Sequence, residues 1–171
     1  MKLDLVSAQR YLYNFQRNNL NLKQFELWIY EHEELENYFG SKEYLDFISR
    51  DYSNKYAFDE TKKQIRNVIK LERFEQERLI SLLTSLTQIT SIKECSGVME
   101  ALYDDYCKGY DFLKAMALIY LCSVETDSVT MNLVHLDDIQ RQKICSEALR
   151  LLHDFENKKL IITGEYEYKI S

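Results

Sequence analysis

The chain of 171 residues contains no proline and only four glycines. Both residues punctuate turns and strand ends, so their scarcity excludes an all-β sandwich or barrel and favours long helices joined by short polar turns. Four cysteines are present, Cys95, Cys107, Cys122 and Cys145, but no two stand at the close spacing of a zinc site or a dithiol redox motif. Reduced and buried thiols are expected, because free cysteine packs as a small hydrophobe. The longest uncharged apolar run, Ala115 to Val124, is too short to span a bilayer. Met1-Lys2-Leu3-Asp4-Leu5 lacks the apolar stretch of a signal peptide, which predicts a cytoplasmic protein. Catalytic signatures are missing too: there is no Gly-rich phosphate loop, no G-x-S-x-G elbow and no H-E-x-x-H. The histidines His32, His135 and His153 pair with no other histidine or cysteine at ligand spacing. His32 with Glu36 reads as a solvated i, i+4 ion pair. No enzyme, cofactor or metal is expected.

What the chain does have is a hydrophobic content of 46%, ordinary for a globular protein, so one domain over residues 1–171 is expected. Its net charge is −6, with a pI of about 5.2. Nucleic-acid affinity comes mainly from neutralising phosphates, and anionic membranes also select cationic proteins, so neither partner is expected. The acidity is localised. Residues 24–52 hold eight of the 28 carboxylates, Glu26, Glu31, Glu33, Glu34, Glu36, Glu43, Asp46 and Asp51, and two of the 22 cations, Lys42 and Arg50. The rest of the chain is therefore electrically balanced. Trp28, the only tryptophan, lies in the same stretch with Phe25, Tyr30, Tyr38, Phe39, Tyr44, Phe47 and Tyr52. Carboxylates steer approach and aromatic rings supply contact area, a combination that suits docking on a basic protein.

Hydrophobic spacing predicts a mainly α fold of five to seven helices with a small C-terminal β-hairpin. Leu3 to Phe15 forms a first element, helix or strand, ended by the Asn-rich tract 17–21. Residues 22–39 form one helix or two broken near Glu33, with Gly40 as stop and Ser41 as the next cap. In that next helix Tyr44, Leu45, Ile48 and Tyr52 share the inner face, leaving Glu43, Asp46 and Arg50 outside. Asp59 caps a long segment reaching Thr90, as one helix or two. Ser91 and Glu94 form a capping box that starts a helix at Ile92 and carries it to Lys108. Phe112 to Leu121 is the most apolar helix and is expected to be central. Thr126 to Met131 shows no period and reads as a loop. Asp137 and Asp138 open a helix through Phe155, and alternation around Gly164 predicts the hairpin.

Two groups of side chains are candidates for partner binding. The first is Glu31, Glu33, Glu34, Glu36 and Tyr38 in the acidic stretch. The second is Glu100, Tyr103, Asp104, Asp105 and Asp111, interleaved with Tyr106 and Tyr110. An ordinary solvated face is the leading explanation of the second group, partner contact follows, and a divalent ion comes last, because one helix rarely supplies enough converging oxygens.

Phe25-Glu26-Leu27-Trp28-Ile29-Tyr30, then Glu34-Leu35-Glu36, Tyr44-Leu45, Ile48 and Asp51-Tyr52, resemble a segment of small Firmicutes proteins of the polymorphic-toxin immunity type. The resemblance implies a non-catalytic inhibitor that binds one cognate toxin and occludes its active site. The pattern residues equally suit a scaffold: Phe25, Trp28, Ile29, Leu35, Leu45 and Ile48 read as core and Glu26, Glu34, Glu36 and Asp51 as outside, so the resemblance does not locate the interface. A nuclease toxin fits the charge, since such an enzyme holds phosphates with Lys and Arg that carboxylates can engage instead. The alternatives are a regulatory or adaptor protein for another basic partner and, last, a divalent-metal enzyme using Glu100, Asp104 and Asp105. Oligomeric state is left open by the sequence.

Overall fold

A computed structural model describes residues 3–88, 92–127, 130–133 and 137–171. Its mainly α architecture contains α1 (Leu5–Gln16), α2 (Leu22–Glu31), α3 (Leu35–Phe39), α4 (Ser41–Ile48), α5 (Ala57–Val68), α6 (Leu71–Gln88), α7 (Ile92–Lys108), α8 (Lys114–Ser123) and α9 (Asp138–Glu156). A 3-10 turn, Asp111–Leu113, precedes α8. Two antiparallel pairs complete it, β1 (Val124–Asp127) with β2 (Thr130–Leu133) and β3 (Leu160–Gly164) with β4 (Glu167–Ile170). The C-terminal hairpin is the expected one, and its Tyr166 and Tyr168 rings lie 5.4 and 6.3 Å from the Tyr110 ring. The pairing over Val124–Leu133 corrects the expected loop at Thr126 to Met131: short strands need few residues and leave little period to read.

The nine helices among the described residues exceed the expected five to seven because two long patterns are interrupted. The stretch 22–39 breaks at His32, whose φ of −126° and ψ of 73° leave the helical region. The stretch 59–88 breaks at Ile69, which is extended, with φ −123° and ψ 151°. Caps fix several ends. Asp4 accepts from the Val6 and Ser7 amides, and Asn21 with Gln24, like Asp137 with Gln140, forms a reciprocal capping box. Ser41 is not the cap expected; Gly40 occupies that position at φ 87°, a conformation glycine adopts without a Cβ penalty. Asp59 likewise lies inside the first turn of α5, where its charge favours the helix N-terminus without a side-chain cap. Gly109, which the sequence allows as a stop or as an interior glycine, ends α7 at φ 130°. Ser91 lies outside the described residues.

The chain divides into two compact units, Met1–Phe74 and Glu75–Ser171, each with its own core. The first is aromatic: Phe15 and Phe25 centroids are 4.7 Å apart, Phe25 and Phe47 5.6 Å, and Tyr11 stacks on Trp28 at 4.1 Å. Offset and tilted ring pairs of this kind add about 1 kcal/mol each beyond area burial. The second unit buries Leu79, Leu83, Met99, Leu102, Tyr110, Leu113, Tyr120, Ala148 and Leu151. The expected centrality of α8 is corrected here. Met116, Ala117 and Tyr120 face inward, whereas Leu118 and Leu121 are exposed. Cysteine burial is also corrected: Cys95 is buried, Cys145 half-buried, and Cys107 and Cys122 exposed.

Candidate functional site: the acidic and aromatic surface of the first unit

α2, α3 and α4 with the turns after α2 and α4 carry the acidic stretch, and each helix owes its orientation to apolar burial. Phe25, Trp28 and Ile29 pin α2 to the core, Leu35 pins α3, and Tyr44 and Phe47 pin α4. All eight carboxylates are left at least partly in solvent. Glu31, Glu33, Glu36, Asp46 and Asp51 are exposed, and Glu26, Glu34 and Glu43 half-buried. They separate into two environments.

Glu31, Glu33 and Glu36 have no cation partner among the described residues. Their field is felt locally: burial pushes the Tyr44 hydroxyl above its ordinary pKa, and the negative charges of Glu33, Glu36 and Glu34 push it further. Tyr11 is raised the same way, by burial first and then by Glu31. Four carboxylates thus act on two tyrosines that both belong to the first core. Two of the predicted residues also have structural work. Glu34 Oε1 accepts the Leu3 amide at 3.1 Å, and the Tyr38 hydroxyl donates to the Leu3 carbonyl at 2.7 Å. Together they hold the backbone that leads into α1, while the Tyr38 ring remains exposed.

Glu43, Asp46 and Asp51 instead line a polar cleft of about 540 Å3 with Lys42, Arg50, Glu60 and Lys63. Arg50, expected on the outside, is turned in. Its Nη2 donates to Gln64 Oε1 at 2.6 Å, while Gln64 Nε2 donates to the Glu43 carbonyl at 2.9 Å. Three cations thus share the cleft with four carboxylates, and Arg50 lies 3.7 Å from Glu60, whereas no cation pairs with Glu31, Glu33 or Glu36 among the described residues.

Three side chains outside the two predicted partner-binding groups complete the surface. Leu27 is 54% exposed, Tyr30 50% and Leu45 55%. Leu27 with Glu31, and Glu26 with Tyr30, are one helical turn apart on α2 and so share a face. The Tyr30 hydroxyl donates to the Ile48 carbonyl at 3.1 Å, which ties α2 to the end of α4, one turn beyond Leu45. Leu45 was expected in the core; Phe47 takes that place, completely buried, and Ile48 is half-buried. His32 also departs from expectation. Its Nδ1 lies 2.8 Å from the Trp28 carbonyl and its ring 5.4 Å from the indole, so the helix break replaces the i, i+4 pair with Glu36 by a packing role.

The second predicted group lies in the other unit. Glu100 and Asp104 are exposed, one turn apart on α7, and Asp111 is exposed on the 3-10 turn. Tyr103 is half-buried with its ring 5.4 Å from Tyr120. Asp105 requires correction: it is 0% exposed, and its Oδ2 lies 2.8 Å from Arg78 Nη2, which also meets Glu75 Oε2 at 2.9 Å. One guanidinium bridges two buried carboxylates here, leaving Asp105 no surface to offer a partner. No group of three or more metal-ligating side chains is placed to hold an ion among the described residues. His153 is exposed beside Asn157, and His135 lies outside the described residues. No helix is long and apolar enough to cross a membrane among them. Compared with family models, curated protein sequences and solved structures, the chain matches none.

Proposed function

We propose that this chain is a non-catalytic binding protein that seats a basic protein on the α2–α4 surface, and that the partner is a bacterial toxin domain whose active site it occludes. The observation that carries the proposal is the pairing of uncompensated carboxylates, Glu31, Glu33 and Glu36, with half-exposed Leu27, Tyr30 and Leu45 on one small unit. Interface energy concentrates in a few apolar and aromatic anchors, and charge around them governs approach. Tyr30 is the best anchor, because its hydroxyl is already held by Ile48 and its ring loses little freedom on binding. The toxin identity rests on the resemblance of residues 25–52 to immunity-type proteins. A regulatory or adaptor protein for another basic partner would use the same surface.

Co-expression with the product of the adjacent gene tests both levels. The expected result is co-purification and rescue of growth, both lost in the double variant Tyr30→Ala, Leu45→Ala while the variant keeps its helical circular-dichroism signal. Co-purification without toxicity would select the adaptor; binding unaffected by the double variant would remove this surface from the interface.

A further inference from the structure

The second unit carries an apolar groove with a different charge. Ser123 of α8 accepts a hydrogen bond from Gln140 of α9 at 3.1 Å, and one end of the groove is lined by Ala115 and Arg150. Residue numbers rise along α8 as they fall along α9, so the two helices run antiparallel. Between them lies a groove of about 680 Å3 with Ala115 and Ile119 on one side and Ile139, Lys143 and Ser146 on the other. Within it Ile139 is 63% exposed. Two antiparallel helices with an open apolar seam form the receiving half of a helix-in-groove interface.

The charges define what fits. Arg150 binds both oxygens of Glu147, at 2.7 and 2.9 Å, and Asp154 at 2.7 Å, so those acids are satisfied within α9. Lys143 in the groove and Lys114 at the start of α8 have no carboxylate partner among the described residues. A second copy seated by two-fold symmetry would bring lysines of like charge onto the same seam, which disfavours it. We propose that this groove receives an amphipathic helix of a partner protein, apolar at i, i+3 and i+7 and flanked by carboxylates. This surface is independent of the α2–α4 one and selects the opposite charge.

The probes are two lactam-stapled peptides of about five turns, identical in their leucine stripe, one with glutamate and one with glutamine at the flanks. Fluorescence anisotropy with the full chain is expected to show the glutamate peptide bound about fivefold more tightly, the size of a partly exposed ion-pair contribution. Lys143→Gln should erase that difference, and Ile139→Glu should abolish binding of both peptides. Absence of binding, equal affinity for the two peptides, or binding indifferent to Ile139→Glu would overturn the proposal. So would sedimentation showing a dimer that Ile139→Glu dissolves, since a second copy would then cover the face.

Discussion

Arg78 is the residue on which the second core most depends electrostatically. Glu75 and Asp105 are buried at 1% and 0% exposure and share its guanidinium. Removing the Arg78 guanidinium takes its charge away from two carboxylates in a low-dielectric site, and breaking a buried pair in this way costs about 3–5 kcal/mol. Arg78→Ala should therefore lower the unfolding free energy measured by urea titration by that amount, whereas Glu147→Ala on the α9 network should change it by less than about 1 kcal/mol. Tyr110, in the same core, has its pKa raised by burial first and then by the negative charge of Glu75; its hydroxyl accepts the Tyr166 amide at 3.1 Å. Burial raises Tyr52 as well. A group whose folded pKa lies above its unfolded value gives stability that is complete below the unfolded value, 10.0, and disappears as pH climbs toward the folded one. Tyrosinate absorbance in an alkaline titration should accordingly show hydroxyls, those of Tyr52 and Tyr110 among them, that ionise only as the protein unfolds, and Tyr110→Phe should reduce their number by one.

At the scale of elements, the joints of the first unit decide how its acids are displayed. Asn21 and Gln24 cap α2 reciprocally, and Asn21→Ala should cost about 1 kcal/mol in thermal stability. Gly40 joins α3 to α4 at φ 87° with open space where a Cβ would stand. Gly40→Ala is thus penalised by backbone conformation alone, by about 1 kcal/mol, and should loosen Glu33, Glu34 and Glu36 relative to Tyr44. Amide hydrogen exchange across residues 33–44 measures this directly. Helical faces were legible from apolar spacing, as in α2 and α9, because burial imposes the period. The orientation within a face was not. Leu45 and Phe47 compete for the inner side of α4, and only the packing of Phe47 against Phe25 settles it. Neighbouring Asp104 and Asp105 look alike in sequence, yet one helical step turns the second inward to a cation supplied by α6. Short β1 and β2 were illegible because four-residue strands carry almost no pattern.

For the whole molecule, the division between Phe74 and Glu75 falls inside α6, where no proline, glycine cluster or composition shift marks it. The localisation of charge, by contrast, was plain in the sequence. What the structure adds is its partition: Glu43, Asp46 and Asp51 share a polar cleft with Lys42, Arg50 and Lys63, while Glu31, Glu33 and Glu36 have no cation partner among the described residues of a unit that also exposes Leu27, Tyr30 and Leu45. The most direct measurement is stopped-flow association of the full chain with the adjacent-gene product at increasing salt, repeated with Glu31, Glu33 and Glu36 all changed to Lys. The account predicts an association rate that falls steeply with ionic strength and drops about tenfold or more in the triple variant, with little change in dissociation. A rate indifferent to both salt and charge reversal would contradict it.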